Sequence, residues 1–197
     1  MPAEGGRNQE NIMNPWETSE GKQVWKTKAN YFQWLRGNLR KIWSDYPVRK
    51  VWKKEQLRPV MEEERLSKKY HPSTKNVGKC VMCNEWMAGS KLECDHIHSS
   101  NGCKSWEEVD SFLRYCVSTL PKDWQLVCKP CHKDLTYAER YDISFEEAVV
   151  TKKVIALEKD KKVMQWFAER DIVPASNAKK RRVQMVDLLM EETYGKS

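Results

Sequence analysis

Two pairs of cysteines give this sequence its clearest chemical signal. The pairs are Cys80/Cys83 and Cys128/Cys131, each with the spacing Cys-x-x-Cys. One tight turn brings two thiolates together in each pair, and four thiolates complete the tetrahedral shell that structural Zn²⁺ prefers. The cysteine total of seven is odd, and the first residues lack the pattern of a secretory signal, so we do not expect a disulfide framework. The spacing therefore predicts a structural zinc site.

Three further residues near these pairs could bind and use a second cation. Asp95 and His96 are adjacent between the two pairs, and His132 directly follows the second pair. An aspartate beside a histidine allows one side chain to bind a divalent cation while the other points at the water to be activated. The predicted zinc would hold the turn that carries His132 close to the first pair, and so preorganise the site. The zinc itself is not expected to be catalytic, because four thiolates leave it no open position.

Two segments around these residues resemble the zinc-containing form of the HNH endonuclease motif. They are Glu-Cys-Asp-His-Ile at 93–97 and Asp-Trp-Gln-Leu-Val-Cys-Lys-Pro-Cys-His-Lys at 123–133, and the resemblance covers residues 79–140. It implies a ββα-metal core in which Asp95 and His132 bind the catalytic cation and His96 is the general base. The family usually has Asn at its middle position, where it braces the loop that bears the base. This chain has Asp123 there, which keeps the acceptor oxygens but lacks the amide donors.

The resemblance implies hydrolysis of a DNA phosphodiester bond. His96 would deprotonate the attacking water, and one cation held by Asp95 and His132 would stabilise the charge on the phosphate and the leaving oxygen. A mixed carboxylate and imidazole site suits Mg²⁺, or another divalent cation such as Mn²⁺ or Ni²⁺. A noncatalytic zinc-containing module that binds DNA remains open as an alternative, because Asp123 departs from the family pattern. The two hypotheses differ in whether a second cation binds and whether His96 matters for cleavage but not for folding.

The positive charge of the chain is concentrated in one segment. The net charge is +7, and residues 22–58 contain eleven Lys and Arg against two acids, a local charge of +9. Such a segment favours a polyanionic partner, and we expect DNA. Four tryptophans lie within it at intervals of nine residues, and we expect them to be core anchors on separate short helices: Trp25, Trp34, Trp43 and Trp52. The expected DNA contacts are Arg36, Arg40, Lys41, Arg49, Lys50, Lys53, Lys54, Lys129 and Lys133.

These observations predict an α+β, mostly helical fold in which helices flank the ββα-metal core and its zinc knuckle. We expect a disordered tail at 1–20, a basic Trp-rich helical DNA-binding extension at 21–75, the nuclease core at 76–142 and a C-terminal helical extension at 143–197. Apolar spacing predicts a helix over 22–46, which Pro47 ends.

Two serines are predicted to begin helices of the C-terminal extension. Ser144 has Glu147 three residues later, as in a capping box, and Ser176 precedes a basic helical stretch. A side-chain oxygen at this position accepts a hydrogen bond from the first turn of the helix, which stabilises the helix end.

The sequence also limits partners and location. It contains no run of 18 apolar residues, so we expect a soluble, unexported protein with no membrane partner. No organic cofactor is expected, and the chain should be a monomer or a homodimer. The basic Trp-rich helices resemble those of small phage-encoded HNH proteins, which implies the cytoplasm of a bacterial host cell.

Overall fold

The computed structural model describes residues 13–98, 100, 102–118 and 120–195. Over these residues the chain is a mostly helical α+β protein, which confirms that part of the prediction. None of the described helices is long and apolar enough to cross a membrane. The helices of the described ranges are α1 Ser19–Val24, α2 Lys28–Asp45, α3 Pro47–Glu55, α4 Glu62–Leu66, α5 Trp106–Ser118, α6 Lys129–Tyr141, α7 Phe145–Lys159, α8 Val163–Ala168 and α9 Ala178–Tyr194. The strands are β1 Arg58–Pro59, β2 Asn76–Lys79, β3 Trp86–Ala88, β4 Leu92–His96 and β5 Trp124–Cys128.

The chain divides into two compact units, each made of two segments. Of the described residues, the first unit comprises those within 13–55 and 96–124, and the second comprises those within 56–95 and 125–195. The chain therefore passes between the units three times: after α3, near the end of β4 and near the start of β5. The predicted core segment 76–142 is shared between the two units.

In the first unit, α2 packs against α5. Its buried core is Tyr31 and Phe32 of α2 with Cys103, Phe112 and Cys116. The helix predicted over 22–46 is interrupted, because the backbone of Thr27 is extended and its hydroxyl accepts a hydrogen bond from the Asn30 N–H at 3.2 Å. That cap begins α2 one residue later. Pro47 does end the predicted helix, and it is also the first residue of α3. A proline fits this position, because a backbone N–H there would have no partner within the helix.

The tryptophans of the basic segment have different environments. Trp25 and Trp43 are partly buried against the core of the first unit. The ring of Trp52 lies 5.7 Å from that of Trp124, so these three residues are anchors, as expected. The expectation of separate short helices is wrong, because Trp34 and Trp43 share the 18-residue α2 and Trp25 follows α1 as its C-cap. Trp34 is 50% exposed, which differs from the expectation.

The described part of the predicted disordered tail is structured. Residues 15–17 form a turn, and Thr18 caps α1 by accepting a hydrogen bond from the Gly21 N–H at 2.9 Å. The ring of Trp16 packs against Tyr31 at 5.3 Å, an aromatic contact that a Gly- and Asn-rich composition did not suggest. Residues 1–12 lie outside the described residues.

The second unit contains a three-stranded antiparallel sheet and a helical part. The sheet order is β1-β2-β3, and Gly78 of β2 lies opposite Met87 of β3. In the helical part, α7 packs against α6, α8 and α9. Ser144 caps α7 by accepting from the Glu147 N–H at 3.0 Å, as predicted. The cap of α9 is Asn177 rather than Ser176, because the Asn177 side-chain oxygen accepts from the Lys180 N–H at 2.9 Å.

An ion pair near the start of α4 predicts how acid affects the second unit. Arg58 donates two hydrogen bonds of 2.8 Å to Glu64, one to each carboxylate oxygen, and the Met61 N–H donates a third at 3.1 Å. The hydrogen bonds from Arg58 lower the pKa of Glu64 to about 2, although burial opposes the shift. Because the folded pKa lies below the ordinary value of 4.5, the ionised carboxylate stabilises the fold above that value. This stability is lost as the pH falls through about 2.

We therefore expect Glu64→Gln to weaken the pH dependence of unfolding between pH 4.5 and 2, and to destabilise the fold at neutral pH. Between pH 4.5 and 2, the urea concentration at the midpoint of unfolding should fall further for the parent than for the variant. The other carboxylates titrate in both proteins and so do not contribute to the difference. Glu62→Gln, at an exposed neighbouring position, is the control and should titrate like the parent. Equal pH slopes for the parent and Glu64→Gln would contradict the prediction.

Candidate metal centre

The first cysteine pair lies in the turn that joins β2 to β3. The Cys80 N–H donates to the Glu85 carbonyl at 3.0 Å, and the Asn84 N–H donates to the Cys80 carbonyl at 2.9 Å. Asn84 has φ +60°, a left-handed conformation that asparagine tolerates better than most residues. These bonds turn the chain tightly, and the sulfurs of Cys80 and Cys83 lie within 4.8 Å of each other.

The second pair joins β5 to α6. Cys128 is the N-cap of α6, and its sulfur accepts a hydrogen bond from the Cys131 N–H at 3.4 Å. The Cys128 N–H donates in turn to the Cys80 sulfur at 3.3 Å, and the Val81 N–H donates to the Leu126 carbonyl at 3.0 Å. The two turns are therefore tied together directly.

All four cysteine sulfurs lie within 4.8 Å of one another. Tetrahedral zinc with Zn–S bonds of about 2.3 Å would separate its sulfur ligands by about 3.8 Å, which this cluster can meet with small side-chain shifts. Among the described residues, these are the His, Cys, Asp and Glu side chains that group in this way. The cluster of Cys80, Cys83, Cys128 and Cys131 could therefore bind a structural metal such as zinc.

The thiols of the cluster differ in acidity. Burial raises the pKa of the Cys80 thiol, but hydrogen bonds from neighbouring backbone N–H groups, including that of Cys128, outweigh burial and bring the pKa down to about 7. Burial raises the pKa of Cys131, and its hydrogen bond with Cys128 raises it further. A metal binds the thiolate form, so the backbone N–H groups around Cys80 favour the form of this thiol that a metal would bind.

Next to the cluster in the second unit, a histidine lies between two carboxylates. The Nδ1 atom of His132 is 2.6 Å from Oε2 of Glu93, and its Nε2 atom is 3.3 Å from Oδ1 of Asp95. The other oxygen of Asp95 accepts a hydrogen bond from the Gln125 side chain at 3.2 Å. The structure thus brings together the two residues that were predicted to bind the catalytic cation.

Local structure explains how these side chains meet. Glu93 and Asp95 are two apart on β4, and alternate residues of a strand point to the same face. Gln125 lies on the neighbouring strand β5, and His132 lies in the first turn of α6, next to Cys131. The cysteine cluster therefore fixes the end of the helix that presents His132 to β4.

The surroundings of His132 favour its protonated form when no metal is bound. Its hydrogen bond to Asp95 is the largest cause, and Glu93 adds to it, while burial opposes them; together they raise the pKa of His132 to about 9. The side chain of His132 is 36% exposed and that of Asp95 is 21% exposed, so ions from solvent can reach this pair.

Glu93 and Gln125 were not predicted to belong to the site. A signal for Glu93 was present, because two carboxylates separated by one residue in a strand share a face. No such signal existed for Gln125, since its contact depends on how β4 and β5 are aligned.

The predicted general base, His96, belongs to the first unit. Its ring lies between those of Trp43 and Tyr115, with 4.1 Å between ring centres on either side. The residue is 8% exposed. Aromatic packing against Trp43 and Tyr115 therefore accounts for the position of the His96 ring. The role of His96 as a general base stays a prediction.

Asp123 makes two contacts that fix the loop after His96. Its carboxylate accepts a hydrogen bond from the Leu120 N–H at 3.1 Å, which closes a short 3-10 turn over Pro121–Asp123. Its backbone carbonyl accepts from the Ile97 N–H at 2.8 Å. A backbone atom thus holds the residue that follows His96, so this contact does not require the amide side chain that the family usually has at this position.

The residues predicted to contact DNA have varied surroundings. Lys129 and Lys133 are exposed on the first two turns of α6. In the first unit, Lys50 pairs with Asp45 at 3.1 Å, and the Arg49 guanidinium lies 5.1 Å from the centre of the Trp43 ring. Arg40, Lys41 and Lys54 are exposed, while Arg36 and Lys53 are half-buried.

Similarity to other proteins does not add to this description. No protein-family model, no curated protein and no solved structure matches the chain. The two features of the chain that bear on its function are the four-cysteine cluster and the histidine between two carboxylates.

Proposed function

We propose that this protein is a metal-dependent DNA endonuclease whose ββα-metal core consists of β4, β5 and α6. Zinc would fill the cysteine cluster, and a divalent cation, Mg²⁺ or alternatively Mn²⁺ or Ni²⁺, would bind Asp95 and His132. One observation carries the proposal: His132 directs Nδ1 to Glu93 and Nε2 to Asp95.

The two nitrogen contacts of His132 fit a cation site. Metal-binding histidines usually donate the N–H of one ring nitrogen to a carboxylate, which leaves the other nitrogen for the metal. Glu93 would accept that N–H from Nδ1, at the observed distance of 2.6 Å. The 3.3 Å between Nε2 and Oδ1 of Asp95 is close to the ~3 Å between neighbouring ligands of an octahedral cation with bonds of about 2.1 Å.

The remaining residues have separate roles in the proposed reaction. Gln125 donates to Oδ2 of Asp95 and fixes the rotation of the carboxylate, so that Oδ1 faces His132. The resemblance to HNH enzymes assigns removal of the water proton to His96. When bound, the cation would stabilise the charge that develops on the phosphate. Lys129 and Lys133, exposed on α6, would attract the DNA backbone.

The experiment that tests the proposal is cleavage of supercoiled plasmid with Mg²⁺, Mn²⁺ or Ni²⁺. We expect the parent to cleave, and we expect Asp95→Asn to cleave at least about tenfold more slowly at limiting cation, because the charge of a ligand is lost. Excess cation should restore part of the rate, since asparagine keeps an oxygen ligand. Binding of Mn²⁺, followed by the loss of the free-ion electron paramagnetic resonance signal, should weaken in parallel.

The matched control is Asp110→Asn, the same substitution at an exposed ion pair with Arg114 on α5. This variant should cleave and bind Mn²⁺ like the parent. Both variants should retain zinc. Cleavage by Asp95→Asn at the parent rate and the same cation concentration would refute the assignment of Asp95 as a ligand.

A second candidate function is a noncatalytic zinc-containing module that binds DNA. The burial of His96 between two aromatic rings favours it, since a general base must reach water. In this case the parent would bind DNA but leave the plasmid intact with all three cations.

A further inference from the structure

The exposed side chain of Trp34 in the first unit is held in a fixed orientation. Its ring centre lies 5.4 Å from that of Trp25 and 5.7 Å from that of Tyr31. Both supporting residues pack in the core of the unit, yet Trp34 is 50% exposed. Leaving half of a tryptophan in water forgoes much of the stabilisation that its burial would give. An ordered, exposed indole is therefore available to a ligand.

Trp34 borders a shallow, open groove of about 430 Å³, and the residues that line it all belong to one face of α2. Gly37 lies one turn further along the helix, and a side chain at that position would meet nothing within 4 Å. The glycine thus leaves space beside the indole ring. The groove is lined by Asn30, Gln33, Trp34, Gly37, Asn38 and Lys41.

The polar groups of the groove suit a nucleotide. Lys41 donates to the Asn38 side-chain oxygen at 2.9 Å, which holds its positive charge at one end of the groove. Asn30 and Gln33 carry amide groups that can donate to and accept from base edges. The groove therefore combines a flat aromatic surface, amides and one cation, without an acidic residue among its lining.

The charge around the groove indicates an anionic partner. Helices α2 and α3 together carry eight Lys and Arg against Asp45 and Glu55, a net charge of +6. An acidic peptide would satisfy this charge, but it would not need an exposed indole beside an open space. A single strand of nucleic acid supplies both the phosphates and flat rings that stack on aromatic side chains.

We propose that Trp34 stacks against an unpaired base of single-stranded DNA while Lys41 contacts a neighbouring phosphate. Stacking of this kind tolerates any base, because every base has an aromatic face. The inference shares a DNA partner with the proposed endonuclease function, but it uses none of the residues of the metal site. The binding test of Trp34 can therefore fail while the plasmid is still cleaved, and it can succeed while the plasmid stays intact.

The test measures binding by fluorescence anisotropy with the full zinc-loaded chain and no added divalent cation. The probes are a labelled oligothymidine of about 12 nucleotides and a duplex of the same length. We expect Trp34→Leu to weaken binding of the single strand about tenfold and to leave duplex binding unchanged, because leucine is apolar but cannot stack. Trp34→Phe should retain most of the affinity.

Two further variants separate stacking from charge and from folding. Lys41→Ala should lower the salt dependence of single-strand binding by about 0.7 of a unit of slope, whereas Trp34→Leu should leave the slope unchanged. Ile42→Ala, at another exposed apolar position of α2, is the matched control and should bind like the parent. Thermal unfolding of each variant shows whether it is folded.

Several results would overturn the inference. They are failure of the parent to bind the single strand, equal affinity of the parent and Trp34→Leu, and equal losses on the single strand and the duplex. Equally weak single-strand binding by Trp34→Phe and Trp34→Leu would overturn it as well. Cleavage of plasmid by these variants, measured separately, reports on the proposed endonuclease function and not on this site.

Discussion

Replacing Cys131 with alanine is expected to release zinc from the protein and unfold the second unit. Cys131 is buried in the first turn of α6, and its sulfur belongs to the four-cysteine cluster. Structural zinc contributes roughly 10–16 kcal/mol to folding, which is comparable to the whole ~5–15 kcal/mol by which most domains are stable. The zinc content, measured by mass spectrometry, should fall to zero. Backbone amides of β2, β3 and α6 should lose their protection from hydrogen exchange.

Cys94→Ala is the matched control, because Cys94 is buried in the same unit but lies outside the cluster. It should retain one zinc and lose only about 1 kcal/mol of packing energy. Treatment of the parent protein with a strong chelator should likewise remove the zinc and unfold the second unit. Full zinc content and unchanged amide protection in Cys131→Ala would show that the cluster is not a structural metal site.

Replacing His96 with phenylalanine is expected to abolish cleavage and preserve the fold. Phenylalanine can keep the ring between Trp43 and Tyr115, where the centre of the His96 ring is 4.1 Å from each neighbour. It cannot accept a proton, and loss of a general base typically lowers a rate by about 10²- to 10⁴-fold. The measurements are the rate of plasmid cleavage, the zinc content and the binding of Mn²⁺, of which only the first should change.

This substitution separates the two hypotheses for His96 more sharply than alanine does, because alanine would also leave a cavity between the rings. His71→Phe is the control, since His71 is exposed and its Nδ1 atom contacts the hydroxyl and the backbone N–H of the nearby Ser73. It should cleave normally. If His96→Phe cleaves as fast as the parent, the ring has a packing role and another group removes the proton.

The parts of the site that sequence alone could predict are those determined by local spacing. Cysteines three residues apart, as in Cys80 and Cys83, meet in a single turn whatever the rest of the chain does. Two such turns predict a common metal, and the four sulfurs do meet. The contact between Asp95 and His132 required a further step, that the two turns would hold α6 against β4, and the structure has this contact.

Contacts that depend on strand alignment or on tertiary packing could not be predicted. Gln125 reaches Asp95 only because of how β4 and β5 pair. Nine residues are two and a half helical turns, so Trp34 and Trp43, which share α2, point to opposite faces of that helix. Which of the two is exposed depends on which face of α2 packs against α5, and the spacing alone does not say. The cap of α9 was predicted one residue early, since neighbouring polar residues such as Ser176 and Asn177 compete to cap the same helix. The break between α1 and α2 inside the helix predicted over 22–46 was not foreseen.

The interleaving of the two units along the chain affects how the protein must be made. During synthesis Cys83 leaves the ribosome 45 residues before Cys128 (128 − 83), and at about 5–20 residues per second this is a delay of roughly two to nine seconds. The segment synthesised in between, residues 96–124, belongs to the first unit. The nascent chain therefore holds two thiols without their partners while it completes another unit. For the same reason, no single uninterrupted gene fragment encodes the second unit alone.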